Sequence, residues 1–230
     1  MEHKWIARLP IDPIPKLLQS RDTSLAYFVQ RDLLEKLSGP IKELWELAEA
    51  KRLVKKQNEN GSLRYKGSGP RNYPYFNYNL LETYRNLGVL VELYGFNKGH
   101  PATQKAAEYI FSCQMEEGDI RGILGEQYIP YYHGVILELL VKAGYTDDAR
   151  LIRGLDWLLD MRQQDGGWIV PMQAVPAAEK TEELWRSALL PPERQRPSSH
   201  LATGMVLHAL AAHPAYRYKP QAKRAAELLK

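Results

Sequence analysis

The chain has a single cysteine, Cys113, among its 230 residues, so an internal disulfide is excluded and a reducing compartment is expected. No apolar run approaches the roughly 20 residues that cross a bilayer, and Met1 to Pro15 has no signal-peptide-like apolar core. The charge is nearly balanced, with 31 basic and 27 acidic residues spread along the chain, which argues against a nucleic-acid interface. These features predict a cytoplasmic protein without a transmembrane segment.

Alternation of apolar and polar residues is scarce, whereas helical spacing is common. The stretch from Tyr131 to Ala143 is apolar on most sides, which predicts a buried helix. Gly144 fits a left-handed helix end, and Thr146, Asp147 and Asp148 can cap the helix that follows. That second helix is amphipathic, and it ends at a glycine turn followed by Trp168. One structural unit is therefore a buried inner helix, an amphipathic outer helix and a glycine turn.

The glycine turn recurs three times, as QNENG at 57–61, QMEEG at 114–118 and RQQDG at 162–166. An apolar side chain follows each glycine by two residues. These side chains are Leu63, Ile120 and Trp168. The repeat steps are 57 and 48 residues, a spacing typical of stacked helical hairpins that bury their apolar faces against one another.

The segment LLDMRQQDGGW resembles the glutamine-tryptophan repeat of squalene cyclases, which protein prenyltransferase β-subunits share in a looser form. The resemblance covers roughly Leu44 to Leu229. It implies an all-α fold of the α/α-toroid kind, in which inner helices surround a central cavity and outer helices cover them. The chain offers fewer helices than a closed ring of this family, so we expect a partial or open ring, or a piece of a longer toroid. An open ring would expose inner apolar surface and favour a homo-oligomer.

The predicted organisation is one toroid-like domain over residues 1–230. An N-terminal arm and helix occupy 1–40, and the repeats occupy 41–169. A proline-rich insertion or lid spans 170–198, and the last helical pair spans 199–230.

The catalytic motifs of the resembled families are missing. Squalene-type cyclases use the middle aspartate of Asp-x-Asp-Asp as their acid, and the nearest match here runs from Tyr145 to Asp148, with tyrosine in the first position. We interpret this stretch as a helix cap. Prenyltransferases bind zinc through aspartate, cysteine and histidine, but Cys113 has no Asp-x-Cys neighbourhood, so we expect neither a metal site nor a cofactor.

One polar constellation remains as a candidate site. Each predicted inner helix is preceded or opened by Pro-x-x followed by asparagine or histidine, which places Asn77, His133 and His200 at equivalent offsets. If the offsets correspond in space, these side chains converge at one end of the cavity, with His133 and His200 as the best catalytic candidates because histidine titrates near neutral pH. Local capping by each residue is the competing interpretation. The neighbouring tyrosines complete the predicted ligand-binding set: Tyr75, Tyr78, Tyr131 and Tyr132.

Three function classes stay open at this point. The first is a squalene cyclase- or prenyltransferase-like protein that binds a small apolar, isoprenoid-like ligand in an aromatic cavity. The second is a carbohydrate-active, lyase-like α/α-toroid enzyme. The third is a non-catalytic scaffold that binds a partner on its concave face.

Overall fold

The chain folds into α-helices, and the computed structural model describes residues 6–65, 75–170 and 182–230. Within these residues no β-strand forms, and only isolated bridges occur, among them two that close the first two glycine turns. No helix in the described ranges is both long and apolar enough to cross a bilayer. The α-helices are α1 (Ile14–Leu18), α2 (Thr23–Phe28), α3 (Ala48–Val54), α4 (Tyr78–Tyr94), α5 (Pro101–Ser112), α6 (Pro130–Lys142), α7 (Ala149–Asp160), α8 (Glu182–Arg186), α9 (His200–Ala212) and α10 (Pro220–Glu227).

The long helices form two layers, as the repeat pattern predicts. α4, α6 and α9 make the inner layer, with α6 between the other two, and α3, α5, α7 and α10 pack outside them. The packing of α6 on α9 is especially close at Gly134, where an added Cβ would come within 3.1 Å of the Val206 Cα atom. The all-α class and the inner–outer arrangement of an α/α toroid are confirmed.

The glycine turns share one backbone geometry. In each, an amide donates to the carbonyl four residues later at 2.8 Å; the pairs are Asn58–Ser62, Met115–Asp119 and Gln163–Gly167. The turn glycines, Gly61, Gly118 and Gly166, all have positive φ, at 88°, 119° and 106°. At Gly61 an added Cβ would lie 2.1 Å from the Lys105 carbonyl oxygen, because the turn rests directly on the next outer helix. Glycine is therefore required there for both conformation and space.

The repeated glutamine fastens each turn to the next outer helix. The Gln114 side-chain amide donates to the carbonyls of Gly118 in its own turn, at 2.6 Å, and of Arg150 in α7, at 2.8 Å. Gln57 makes the corresponding bonds in the first turn. In the third turn Arg162 replaces the glutamine, and Arg224 of α10 donates to the turn carbonyls instead.

The N-terminal region differs from the sequence-based prediction. A single helix is expected from Ser24 to Leu37, but α2 continues only as a π-helical turn, Val29–Leu33. The helix expected over 41–56 is likewise broken into a 3₁₀ helix, Ile41–Glu46, and α3, because Leu47 between them is extended. The break allows Trp45 and Ala50 to share one small core with Leu90 of α4.

Candidate ligand-binding trough

Asn77 caps α4. Its side-chain oxygen accepts from the Leu80 amide at 2.9 Å and from the Tyr109 hydroxyl at 3.1 Å. Its amide group lies 3.7 Å from the Cys113 sulfur. The side chain is therefore directed toward the loop and α5, in line with the capping interpretation.

His133 is completely buried, and both of its ring nitrogens are occupied. Nδ1 accepts from the Ile120 amide at 3.1 Å, and Nε2, which then carries the proton, donates to the Gly154 carbonyl of α7 at 3.1 Å. Burial lowers the pKa of this imidazole to about 4, although the bond to Gly154 opposes the shift. The ring thus stays neutral near pH 7 and joins α6 to a turn and to the outer layer.

His133 has structural counterparts, but they are not Asn77 and His200. Thr83 accepts from the Leu63 amide at 2.7 Å, and Thr203 accepts from the Trp168 amide at 3.1 Å, as His133 does from Ile120. All three amides lie two residues beyond a turn glycine. A side chain on each inner helix therefore secures the same backbone position of the preceding turn.

Asn77, His133 and His200 do not occupy equivalent helix positions, although each lies three residues after a proline. The reason is that the prolines lie at different distances from the first residue of their helices. Pro130 is the first residue of α6, which makes His133 the fourth, whereas His200 is itself the first residue of α9. Asn77 precedes α4 altogether. His200 is exposed, and no described contact joins the three side chains into one pocket. A role for them in ligand binding or catalysis stays a prediction.

The tyrosines of the predicted set lie at the start of two inner helices. Tyr131 and Tyr132 pack together with ring centroids 4.4 Å apart, and Tyr78 stacks on Tyr65 at 4.9 Å. Tyr75 packs edge-on against Phe76. All four tyrosines are half-buried. Tyr132 lies one helical turn before Val135, which lines an open groove.

That groove, called the trough here, runs across the inner layer and has a volume of about 690 Å³. It presents one stripe of side chains from each of α4, α6 and α9 at helical spacing. The lining residues are Tyr84, Arg85, Gly88, Val89, Glu92, Leu93, Val135, Glu138, Leu139, Lys142, Met205 and His208. Its apolar side chains include Val89 and Leu93, which are 37% and 51% exposed although each lies beside buried neighbours.

Two ion pairs that share Lys142 connect α4 and α6 across the trough, and a histidine of α9 lies beside them. Lys142 of α6 contacts Glu92 of α4 and Glu138 of its own helix, both at 2.8 Å. The Glu138 carboxylate is only 16% exposed and lies 3.6 Å from the Nδ1 atom of His208 on α9. Burial disfavours the Lys142 charge, but hydrogen bonds from its ammonium to both carboxylates outweigh burial and raise its pKa.

The trough continues beyond these residues at both sides. Lys142 also lines a cavity of about 820 Å³ between α2 and the end of α4, which includes Phe28 and Arg31. With Glu138 and His208 it lines a third cavity, of about 530 Å³, which reaches Leu229. The ion-paired lysine therefore stands where three adjoining cavities meet.

The described part of the predicted lid is anchored next to the start of α6. Gln127 is 2% exposed, and its amide donates to the carbonyl of Leu184 at 3.0 Å while its oxygen accepts from Leu190 at 3.0 Å. Trp185 packs edge-on against Phe76, in the loop before α4. Residues 171–181 of the predicted lid lie outside the described ranges, as does the loop predicted at 67–70.

Comparison with known families adds one match. Residues 83–183 match the family model described as the squalene-hopene cyclase C-terminal domain. Over these residues the chain is similar to that domain, and the match supports a relationship to the terpenoid cyclase-like α/α toroids. No curated protein matches it.

The closest approach to the cyclase acid motif lies in the outer layer of this cyclase-like chain. Asp148 caps α7 and pairs with Arg150 at 2.8 Å, and Arg150 also pairs with Glu108 of α5 at 2.7 Å. The hydrogen bonds from Arg150 lower the Asp148 pKa despite partial burial. Such a carboxylate is a stable anion. Of the three residues expected to cap α7, which are Thr146, Asp147 and Asp148, it is Asp148 whose side chain accepts from the helix amide.

Sequence reasoning missed the trough and its ion pairs. One available signal was that Glu82 and Glu138 each lie eight residues after the proline of a Pro-x-x-[Asn/His] pattern, but Glu82 accepts from Asn86 within α4. The relevant carboxylates are Glu92 and Glu138, and only the packing of α4 beside α6 reveals that pairing. Val89 and Leu93 are apolar and four residues apart, so they share a face of α4, and this spacing was a second signal in the sequence.

Proposed function

We propose that this cyclase-like chain binds an elongated apolar ligand of the isoprenoid-like class in the trough. The supporting observation is the groove of about 690 Å³ that crosses the inner helices and presents apolar side chains to solvent. Ligand pockets in proteins commonly have this size and are lined by apolar groups with a few placed polar ones.

The apolar lining supplies the driving force. Val89 and Leu93 remain partly exposed in the unoccupied groove, and Val135, Leu139 and Met205 face them from the other inner helices. A hydrocarbon chain laid along the groove would remove these surfaces from water, at roughly 25 cal/mol for each Å² covered. An isoprenoid-like chain suits this shape because it is long, flexible and apolar.

The proposal concerns binding and assigns no reaction. His133 enters it as a fold-stabilising residue, because neither of its ring nitrogens is free to exchange a proton with a ligand. The carbohydrate-active alternative is an analogy with toroid lyases that use asparagine, histidine, tyrosine and arginine, and it stays a prediction from the sequence. The cytoplasmic location and the homo-oligomer stay predictions from the sequence.

A second candidate function is a scaffold that holds a protein partner on the concave face. The observation in its favour is that a further apolar side chain outside the trough lining, Leu201 near the start of α9, is 64% exposed. A partner of this kind would cover Leu201 as well as Val89, whereas a hydrocarbon ligand would be confined to the trough.

Farnesol, a neutral isoprenoid alcohol, tests the first proposal in a calorimetric titration. We expect measurable binding by the wild-type chain and a loss of about tenfold or more in affinity for Val89→Asp and Leu93→Asp, since a carboxylate would be buried against the hydrocarbon. Leu37→Asp is the matched control, because Leu37 is fully exposed outside the trough. Equal affinity of all four proteins, or no binding by the wild type, contradicts the proposal.

A further inference from the structure

The inner helices α6 and α9 share a register that the glycine turns define. His133 of α6 and Thr203 of α9 occupy equivalent places, since each accepts from the amide two residues beyond a turn glycine. The residues that follow them, Gly134 and Gly204, are therefore equivalent as well. The packing on this side of α6 thus indicates what kind of neighbour suits the same side of α9.

On α6 this side is covered by the next inner helix. An added Cβ at Gly134 would come within 3.1 Å of the Val206 Cα atom, so the backbones of α6 and α9 approach closely there. Val141 lies seven residues after Gly134, on the same side of the helix, and is only 9% exposed. Glycine at this position therefore allows one inner helix to pack closely against another.

On α9 the equivalent side meets no helix of the described ranges. An added Cβ at Gly204 would meet only the Leu229 side chain, at 3.9 Å. Ala211, the counterpart of Val141, is exposed, and a groove of about 530 Å³ follows this side of the helix. Yet the 13 residues of α9 include no Asp, Glu, Lys or Arg. A helix that is apolar on nearly every side is normally buried on every side, so this side of α9 is an unfilled packing surface.

We propose that this surface, called the α9 face here and formed by Gly204, Leu207 and Ala211, packs against the α9 face of a second copy of the chain. The contact is isologous, and the two helices cross at Gly204. It continues the inner layer in the way that α9 continues it beside α6. This inference goes beyond the proposed ligand binding and does not depend on it.

The chemistry of the α9 face suits a second copy. An uncharged surface meets its own copy without repulsion between like charges. The charged residues that line the same groove, Glu138 and Lys142, are paired with each other at 2.8 Å and add no net charge. The neighbour that the face requires is an uncharged helix with glycine at the point of closest approach, and α9 itself is such a helix.

The size of the face sets the expected affinity. The 13 residues of α9 span about 20 Å. Stable protein pairs bury about 800 Å² on each partner, and one contact between helices of this length covers less. We therefore expect a dimer with a dissociation constant of roughly micromolar order.

Sedimentation velocity between about 1 and about 100 μM protein tests the dimer, and the wild type should shift from monomer to dimer over this range. Gly204→Gln should raise the dissociation constant at least about tenfold, because a long polar side chain holds the two helices apart. Its melting temperature should not fall, since only Leu229 lies nearby and glutamine favours a helix more than glycine does. Gly88→Gln is the matched control, because Gly88 lies within α4 with nothing within 4 Å of an added Cβ, and its dimer should match that of the wild type.

Two further variants test the same face. Ala211→Glu should weaken the dimer at least about tenfold, because it places like charges opposite each other at an exposed position. Gly204→Cys should form an intermolecular disulfide under mild oxidation, since the two copies of this residue would lie within about 7 Å of each other. The wild type, whose Cys113 lies at the end of the outer helix α5, should not form one.

Circular dichroism confirms that each variant is folded before it is measured. A wild type that stays monomeric over the whole range overturns the proposal. So does a dimer that neither Gly204→Gln nor Ala211→Glu weakens, or one that Gly88→Gln weakens equally. Failure of Gly204→Cys to cross-link while the wild type forms dimers overturns it as well, because the two helices then do not cross at Gly204.

Discussion

Replacement of His133 by alanine distinguishes a fold-stabilising histidine from a ligand-binding one. The variant leaves the Ile120 amide and the Gly154 carbonyl without their side-chain partner, in a place where the ring is 0% exposed. Each buried unpaired backbone group costs roughly 1–3 kcal/mol, and the vacated ring volume adds a cavity cost. We expect a loss of about 3–5 kcal/mol in the free energy of unfolding, or roughly 6–20 °C in melting temperature for a chain of this size.

The same histidine makes stability depend on pH. Its pKa is about 4 in the folded chain and about 6.5 when unfolded, so the unfolded state binds the additional proton between these values. The stabilisation is therefore complete above the unfolded pKa and is lost as the pH falls toward the folded pKa, by about 3 kcal/mol in total. In His133→Ala this part of the pH dependence should be absent.

Urea unfolding followed by circular dichroism at about pH 7 and about pH 5 measures both effects. His200→Ala is the control, since His200 is exposed and its replacement should change stability by about 0.5 kcal/mol at most. Farnesol affinity per folded molecule should be unchanged in His133→Ala. Wild-type stability in that variant, or loss of binding with stability retained, refutes the assignment of His133 to the fold.

Three further predictions concern the repeats and the lid. Thr83→Val removes the acceptor for the Leu63 amide with little change in shape, and should lower the free energy of unfolding by about 1–3 kcal/mol, measured by urea titration; wild-type stability would contradict it. Gln114→Ala should cost about 1–3 kcal/mol in the same assay, because two carbonyls lose their donor, and an unchanged midpoint would disprove the fastening role. Gln127→Ala should speed amide exchange at Leu190 relative to the amides within α6, and equal protection in the two proteins would show that Gln127 does not anchor this segment.

The helical layers could be predicted because local signals and packing agree. The sequence predicts an inner helix over His200–Ala212 and a helix that begins at Pro101, and α9 and α5 have this extent and this first residue. Gly144, expected at a left-handed helix end, has a φ of 95° after α6. The turns followed directly from the Gln-x-x-x-Gly repeat, because their backbone bonds are local. A repeat of this kind fixes which residues face inward before any tertiary contact is known.

The candidate site could not be predicted to the same extent. The Pro-x-x-[Asn/His] pattern singled out His133 as a candidate residue. However, the number of residues after a proline does not determine the position within a helix when the preceding loops differ in length. The trough depends on contacts between helices far apart in sequence, such as Glu92 with Lys142. No local pattern encodes that pairing. The same applies to Gln127, whose partners lie about sixty residues further along the chain.

Photolabelling tests the central claim most directly. A farnesol derivative that carries a photoreactive diazirine is bound to the wild-type chain, irradiated, and the modified residues are identified by mass spectrometry. The account predicts label on the inner helices at trough positions such as Val89, Leu139 and Met205, and its suppression by excess farnesol. Label confined to the outer helices α5 and α7, or label that excess farnesol does not reduce, would contradict it.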